Sequence, residues 1–254
     1  MADRDAALPW SRALIVGAST GIGAALARRL GAGGVRLALV ARRASLLESL
    51  ADEIAGTGAP RPLVRAHDVR DAAAVPELLE DVCRSLEGLD LLVYAAGIMP
   101  RIDATTYDTA LDRDVVEINL LGAMAWINAV VPRFERAGSG TIVGLSSVAG
   151  DRGRRGYPAY NASKAGLSTY LEAIRNRVAR RGVSVVTVKP GPVSTPMTEG
   201  MARLPFLVSA DEAARVVLHT AARGRHTVYV PWRWRPVMLA IRAVPSRLFR
   251  YLDI

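Results

Sequence analysis

The stretch ALIVGASTGIG, residues 13–23, joins an apolar run to a glycine-rich turn and the start of a helical pattern. Its first four residues suit a buried strand, and amphipathic periodicity follows from Gly21 to Leu30. Gly17, Gly21 and Gly23 would let the backbone approach a pyrophosphate, and a helix N-terminus offers that anion free N–H groups. The spacing is Gly-x-x-x-Gly-x-Gly, and a glycine-rich turn occurs in many α/β proteins. The strand-turn-helix context favours a nucleotide site.

The alternation of apolar strands with amphipathic helices continues along the chain. Predicted strands are Ala13–Val16, Val35–Val40, Pro62–Ala66, Leu89–Tyr94, Thr141–Leu145, Val183–Val188 and Thr227–Val230. Predicted helices are Gly21–Leu30, Leu46–Ile54, Val75–Leu86, Val115–Arg136, one ending near Arg181, and Ala210–Ala222. Strands that are apolar throughout indicate a parallel sheet covered on both faces. We therefore predict a doubly wound (Rossmann-type) α/β fold, with one domain over residues 1–254 and a basic, aromatic extension at 232–254.

The composition suits a globular protein, because 50% of the 254 residues are hydrophobic and 22% are charged. The net charge is +9, and only Lys164 and Lys189 of the 33 basic residues are lysines. A basic chain suits nucleic acid, anionic lipid or phosphorylated ligands. No recognisable nucleic-acid-binding module occurs, so no nucleic-acid partner is expected. The single Cys83 excludes an internal disulfide and fits a reducing compartment.

Targeting and metal signals are sparse. Residues 1–12 have no apolar segment of the signal-peptide kind, and no apolar run looks long enough to span a bilayer. A cytoplasmic location is therefore expected. His67, His219 and His226 show no metal-ligand spacing, so no metal site is expected.

A second stretch, SSVAGDRGRRGYPAYNASKAG at residues 146–166, carries the candidate chemistry. Tyr160 and Lys164 are four residues apart at the start of a predicted helix, so their side chains share one face. An ammonium beside a phenol favours the phenolate, and a tyrosine of lowered pKa can act as a general acid or base. Ser147 could hydrogen-bond the same substrate oxygen. The alternative is a surface pair on an amphipathic helix.

The end of the second strand indicates which dinucleotide is preferred. An acidic residue there would bind the ribose hydroxyls of NAD, but the chain has Arg42 and Arg43. Because a guanidinium fork matches a phosphate, NADP(H) is predicted over NAD(H). The alternative is a solvated arginine pair. Asp68, after the third strand, would either accept from an adenine amino group or cap the next helix.

Taken together, these residues resemble the short-chain dehydrogenase/reductase family over nearly the whole chain. The resemblance rests on Gly17, Gly21, Gly23, Asp68-Val69, Ala95-Ala96-Gly97, Asn119, Ser147, Tyr160, Lys164, Pro190-Gly191 and Thr195. It implies an NAD(P)-dependent enzyme that interconverts a ketone and a secondary alcohol. One departure is Tyr94, where the family usually has an Asn that braces the sheet and the cofactor site.

The resemblance also implies residue roles. Tyr160 would be the general acid/base, Lys164 would lower its pKa and hold the nicotinamide ribose, Ser147 would orient the carbonyl, and Asn119 would complete a proton relay. The implied cofactor-binding residues are Gly17, Ser19, Thr20, Gly21, Ile22, Gly23, Arg42, Arg43, Asp68, Val69, Ala95, Ala96, Gly97, Tyr160, Lys164, Pro190, Gly191, Val193 and Thr195. A homodimer or homotetramer through the helices Val115–Arg136 and Tyr160–Arg181 is also implied.

The substrate side offers weaker signals. Arg152, Arg154 and Arg155 precede Tyr160 and could bind a phosphate or carboxylate, or form a solvated loop. After Thr195, an apolar lid is expected to cover the pocket or to pack on the core, its lining drawn from Met197, Met201, Leu204, Phe206 and Leu207. An apolar lid beside an anion-binding loop suggests an amphiphilic substrate.

The C-terminal stretch, residues 230–254, alternates aromatic and basic residues, with Pro236 and Pro245 breaking it into two short helices. It suits contact with the inner face of a membrane, a subunit interface or a cap over the pocket. With DRGRR at 151–155, it is similar to actinobacterial reductases of decaprenylphosphoryl keto-pentose, which suggests a lipid-linked phosphorylated keto-sugar. The alternatives are a general ketoacyl, steroid or secondary-metabolite carbonyl reductase and a catalytically idle NADP-binding interaction protein.

Overall fold

Seven parallel strands form the central sheet of the computed structural model, which describes residues 8–103, 105–202 and 204–252. The strands are β1 Arg12–Val16, β2 Arg36–Ala41, β3 Leu63–Ala66, β4 Leu91–Tyr94, β5 Gly140–Leu145, β6 Val183–Pro190 and β9 Thr227–Val230. Their order across the sheet is β3-β2-β1-β4-β5-β6-β9. Two two-residue strands, β7 Val193–Ser194 and β8 Val208–Ser209, pair apart from this sheet. The signal-peptide prediction for residues 1–12 falls largely on residues 1–7, outside the described part.

Helices cover both faces of the sheet. They are α1 Gly21–Ala32, α2 Ala44–Ala55, α3 Val75–Leu86, α4 Thr109–Val116, α5 Gly122–Ala137, α6 Pro158–Val178, α7 Ala210–Ala222, α8 Trp234–Ala243 and α9 Ser246–Phe249. One core lies under α1, α2 and α7, and the other lies under α3, α5 and α6. Ile15 belongs to the first and Leu14 to the second, and both are fully buried. The strands β1, β2, β4, β5 and β6 are mainly apolar because each contributes buried side chains to both cores, and the doubly wound prediction is confirmed.

The strand order reverses around β1, which pairs with β2 on one side and β4 on the other. Val16 is in register with both Val40 and Tyr94, so these three strands end at one level. Backbone hydrogen bonds continue past that level, from Gly17 N to Val40 O and from Ala95 N to Val16 O, each 2.7 Å. The turns after β1 and β4 therefore meet at the carboxyl edge, where ligands of such sheets bind.

The long helix predicted at Val115–Arg136 starts earlier and is not uniform. Asp108 caps α4 by accepting from the amides of residues 110 and 111, and a π-helical turn, Glu117–Leu121, separates α4 from α5. The sequence does not mark this helix start, because hydrophobicity changes little at the capping Asp108. The helix α6 ends at Val178, three residues before Arg181.

The prediction that no apolar run is long enough to span a bilayer is wrong, because one helix is long enough and apolar enough to do so. Thr109–Ala137, 29 residues including the π turn, has a segment of mean hydropathy 1.5. Half of that segment is buried inside the protein, and Trp126, Val130 and Phe134 are fully enclosed against the sheet. These contacts are those of a core helix.

The C-terminal extension folds back onto the sheet. As predicted, two short helices form, but only Pro245 separates them, since Pro236 lies in the first turn of α8, where proline is tolerated. Trp234 and Met238 on α8 are buried and pack with Val148, just after Ser147. The extension therefore reaches the candidate site.

Candidate active site

A cavity of about 970 Å³ opens at the carboxyl edge of the sheet. Every predicted cofactor residue except Asp68 lines it. The predicted catalytic residues Ser147, Tyr160 and Lys164 share the same wall. Residues that are 174 positions apart in the chain, such as Gly17 and Gly191, thus enclose one space.

The glycine turn forms a cradle that side chains would fill. Gly17 has φ of +91°, and a Cβ there would lie 2.6 Å from atoms of the Ala95–Ala96 backbone. A Cβ on Gly23 would overlap the carbonyl oxygen of Gly17. Thr20, the residue before α1, makes no side-chain cap, and the first turn of α1 holds no acidic residue. The N–H groups of that turn are therefore available to a pyrophosphate, which fits a dinucleotide.

Arg42 and Arg43 line the cavity beyond the end of β2. Arg43 donates to the hydroxyls of Ser19 and Thr20 at 2.9 and 3.1 Å, which ties the glycine turn to this loop. Arg42 makes no such contact within the described residues and stays exposed to solvent.

Asp68 does not cap the next helix and pairs with a neighbouring arginine. Its carboxylate binds Arg70 at 2.7 Å, and this ion pair holds the pKa of Asp68 below its usual range. Asp71, not Asp68, caps the short 3-10 turn before α3 by accepting from the amide of Ala74. Asp68 and Asp71 both follow the third strand within a few residues, so sequence spacing could not show which of them caps the turn.

Tyr160 and Lys164 lie on the cavity face of α6, one turn apart. Lys164 is buried, and its Nζ donates to the carbonyl oxygen of Leu145 at 2.8 Å and lies 5.8 Å from the centre of the Tyr160 ring. Ser147 donates to the carbonyl oxygen of Pro190 at 3.3 Å and accepts from the amide of Ala149. The end of β5 thus holds the lysine, and the end of β6 holds the serine.

The electrostatics around Tyr160 differ from the expectation that Lys164 lowers its pKa. Burial raises the pKa of Tyr160, and a hydrogen bond with Ser147 and the charge of Arg154 oppose this rise. Burial also lowers the pKa of Lys164 to about 8. The charge of Arg154 therefore favours the phenolate of Tyr160.

Asn119 lies beneath the cavity wall, fully buried in the π turn. Its side chain exchanges two hydrogen bonds with the backbone of Ile98, at 2.8 and 3.0 Å, and donates to Ser163 at 3.1 Å. It joins the loop after β4 to α6, directly behind Tyr160. The side-chain geometry is that of a brace between these elements.

The structure separates the three arginines of the loop. Arg154 lines the cavity, Arg155 is exposed, and Arg152 points to the C-terminal helices, where it donates to the carbonyl of Arg242 at 2.9 Å and stacks on Phe249. Only Arg154 is thus placed to meet a substrate. The contacts of Arg152 span about 90 residues, beyond the reach of local pattern reasoning.

The predicted lid residues also fall into two groups. Met197, Met201 and Leu204 line the cavity, whereas Phe206 is 43% exposed and packs edge-to-face on Trp234 with ring centres 5.6 Å apart. Trp234 itself lines the cavity and presses on Gly191. Of the roles predicted for the extension, the cap over the pocket is the one that Trp234 performs.

Several wall residues were missed by sequence reasoning. They are Ile98, Met99, Arg101, Ile102, Tyr157, Trp234 and, near the glycine turn, His67. His67 is buried against Trp126, and burial lowers its pKa. The "Ala-Ala-Gly" turn pointed to the loop that follows it, whereas the predicted cap by the C-terminal extension did not single out Trp234. Within the described residues, no three His, Cys, Asp or Glu side chains cluster in a way that could hold a metal.

This chain is similar to known proteins in both sequence and structure. The family model of short chain dehydrogenases matches residues 11–203. The chain belongs to this family. An uncharacterised oxidoreductase of Myxococcus xanthus is 34% identical over 245 residues, 96% of each chain.

Two solved structures are similar to this short-chain dehydrogenase. A variant of actinorhodin polyketide ketoreductase with NADPH has a TM-score of 0.79 and 28% identity, over 87% of this chain and 95% of the other. A 3-oxoacyl-[acyl-carrier protein] reductase from Brucella melitensis has a TM-score of 0.79 and 26% identity, over 88% and 90%. The chain is thus an oxidoreductase of this family, which acts on small carbonyl compounds with NAD(P).

Proposed function

We propose that this protein is an NADP(H)-dependent reductase that interconverts a ketone and a secondary alcohol. The observation that carries the proposal is a single cavity whose wall holds both the uncapped turn at Gly17–Gly23 and the side chains of Ser147, Tyr160 and Lys164. A dinucleotide seated on the turn would bring its reactive ring toward the phenol. Buried donors around one oxygen position suit carbonyl chemistry.

Tyr160, Ser147 and Lys164 each have a separate role in this reaction. The nicotinamide, when bound, supplies or takes up the hydride. Tyr160 donates its phenolic proton to the carbonyl oxygen during reduction and takes it back during oxidation. Ser147 turns its hydroxyl from Pro190 to the same oxygen and orients it. Lys164, fixed by Leu145, is positioned to bind the ribose hydroxyls next to Tyr160.

The NADP(H) preference is supported by two features. Arg42 and Arg43 lie at the end of β2, where the described chain has no carboxylate lining the cavity. The similar polyketide ketoreductase was solved with NADPH. Guanidinium groups match a 2′-phosphate in charge and in geometry.

The test is a screen of ketones with NADPH, in which the absorbance of NADPH measures turnover by the wild type and by Tyr160→Phe. We expect turnover that falls by about 1000-fold or more in the variant, because the proton donor is lost. Tyr170→Phe, a tyrosine on the same helix bonded to Asn128, is the control and should keep turnover. Full turnover in Tyr160→Phe would refute the assignment. NADPH binding without turnover of any ketone would favour the idle interaction protein.

Two substrate hypotheses remain within this proposal. The similar ketoreductase and 3-oxoacyl reductase favour a ketoacyl or polyketide-like carbonyl compound. The methionines of the lid and the exposed C-terminal helices favour an amphiphilic compound such as a lipid-linked phosphorylated keto-sugar. Including both classes in the screen decides between them.

We also propose that the enzyme works in the cytoplasm at the inner face of the membrane. Trp232, Leu239, Leu248 and Tyr251 are 61–75% exposed on or beside α8 and α9. Exposed arginines accompany them at 233, 235, 242, 247 and 250. Apolar and basic side chains together suit an anionic bilayer surface. Flotation with anionic vesicles tests this, and equal binding by the wild type and Leu239→Ser/Leu248→Ser would contradict it.

A homodimer or homotetramer through the α4–α5 and α6 helices is the proposed assembly. Leu121, at the end of the π turn, is 50% exposed and offers an apolar contact there. Light scattering after size exclusion measures the mass directly, and a monomer at micromolar concentration would contradict the proposal.

A further inference from the structure

The cavity wall carries an unbalanced charge. Its basic residues are Arg42, Arg43, Arg101, Arg154 and Lys164, and no Asp or Glu of the described ranges lines it. The two arginines after β2 lie at the cofactor end. The remaining cations lie on the side where Tyr160 faces the cavity, and their partners decide which of them is available to a ligand.

Two of these three cations are already engaged. Lys164 donates to the carbonyl of Leu145, and Arg101 donates to the backbone carbonyl of Glu199. Arg154 differs, because its Nε is enclosed by protein atoms without a hydrogen-bond partner among the described residues. Burial lowers the pKa of its guanidinium, with only Tyr157 and Tyr160 opposing. A half-buried cation without a partner is costly and favours an anionic ligand.

The carboxylate closest in sequence to Arg154 does not neutralise it. Asp151 is almost fully buried, where it pairs with Lys189 and accepts from the hydroxyl of Tyr229 at 2.7 Å. Both of its oxygens are therefore occupied by side chains that do not line the cavity. The loop is anchored there, and the charge of Arg154 remains unpaired.

The backbone of Arg154 is also held from α6. Asn161, which is 3% exposed, donates through Nδ2 to the Arg154 carbonyl at 2.9 Å. Because Asn161 follows Tyr160 directly, the loop and the phenol are positioned by one turn of helix. A ligand group bound by Arg154 would thus lie at a fixed offset from the carbonyl that Tyr160 protonates.

We propose that Arg154 is a specificity-determining residue that binds an anionic oxygen group, a carboxylate or phosphate ester, of the carbonyl substrate. The proposal rests on the carbonyl reductase function above. It assigns no such role to Arg152 or Arg155, which face the C-terminal helices and solvent. The apolar lid residues Met197 and Met201 would then cover the remainder of that substrate.

The test compares three ketones of one skeleton: an aryl butanone, the same ketone with a para carboxylate, and the same with a para phosphate ester. The quantity is the ratio of kcat/KM for each anionic ketone to that for the neutral one. The wild type should prefer an anionic ketone, less so at high salt. Arg154→Met should lower that ratio by about 10- to 100-fold, Arg154→Lys should retain part of it, and Arg155→Met should keep it. The carboxylate and phosphate arms identify which group is recognised.

A merely structural role would lower turnover of all three ketones together and leave the ratio unchanged. An unchanged ratio in Arg154→Met, or no anionic preference in the wild type, would overturn the proposal. The wild-type arm does not depend on the variant folding. If no ketone is turned over, calorimetry with NADP-bound protein measures affinity for the carboxylate ketone. Preferential binding that Arg154→Met abolishes, without turnover, supports Arg154 and contradicts the reductase, whereas equal affinity of the wild type for neutral and anionic ketones refutes the anion site.

Discussion

The phenol of Tyr94 donates a 2.5 Å hydrogen bond to the backbone carbonyl of Ile118. Tyr94 ends β4, fully buried, and Ile118 lies in the π turn that carries Asn119. The bond joins the sheet to that turn below the cofactor cradle. The family usually has a bracing Asn at this position, and the tyrosine supplies a brace of its own from the same place.

Replacing Tyr94 by Phe should therefore destabilise the fold and loosen the site. The Ile118 carbonyl loses a buried donor, which costs about 1–2 kcal/mol in the free energy of unfolding. NADPH affinity should fall as the turn moves. Urea unfolding and NADPH fluorescence measure the two effects. Tyr170→Phe removes a hydroxyl bonded at the surface to Asn128 and should stay within about 0.5 kcal/mol of the wild type. Equal losses in both variants would contradict the brace.

Much of the fold followed from local patterns. Buried parallel strands are mainly apolar, and the apolar runs within β1 and β2 make these strands recognisable in the sequence. The glycine turn and the Tyr160–Lys164 spacing located the cavity because both features are short-range. Gly17 and Gly23 are needed where another backbone atom occupies the space of a Cβ, so the spacing itself encodes the cradle.

What local patterns could not supply are contacts across the chain. Arg152 and Arg154 look equivalent in DRGRR. They differ in burial and in their partners, which are Arg242 and Ser246 for Arg152 and Asn161 for Arg154. The role of Trp234 depends on its meeting Gly191 after the chain has closed the sheet. The pKa of Tyr160 likewise depends on how deeply it is buried, which the Tyr-x-x-x-Lys spacing does not contain.

The NADP(H) preference predicts a selective effect at Arg42. Arg42→Ala should weaken NADPH binding by about 10- to 100-fold, because a charge-assisted contact to a phosphate is lost, and change NADH binding by no more than about twofold. Fluorescence titration with both cofactors measures this. Arg225→Ala removes one exposed charge between α7 and β9 and should alter neither. Parallel weakening of NADH and NADPH in Arg42→Ala would argue against recognition of the 2′-phosphate.

The buried Lys164 predicts a pH dependence of stability. Burial lowers its pKa to about 8 in the folded protein, against about 10.4 in an unfolded chain. Between these values the unfolded chain binds the proton and the folded protein does not, so this group makes unfolding less favourable as pH rises. The contribution is at most about 1.4 kcal/mol per pH unit. Below about pH 8 both states bind the proton, so the pH dependence disappears and the cost of burying the ammonium is constant.

The difference in unfolding free energy between the wild type and Lys164→Met isolates that contribution, since other groups titrate alike in both. Urea unfolding of the cofactor-free proteins between about pH 7 and pH 9.5 should show the wild type gaining relative to the variant as pH rises. A difference that is flat across this range would show that the ammonium remains protonated in the folded protein.

Gly191→Ala should disturb the wall that joins the C-terminal helix to the site. An added Cβ would lie 2.5 Å from Cε2 of the Trp234 indole, so the indole or the strand end must shift, at a cost of about 1–3 kcal/mol in unfolding free energy. Turnover should also fall, because Pro190, next to Gly191, holds the Ser147 hydroxyl. Gly153→Ala, which meets no atom within 4 Å, is the control and should be near neutral. In a Trp234→Ala background the Gly191→Ala cost should shrink, and an equal cost in both backgrounds would locate the strain elsewhere.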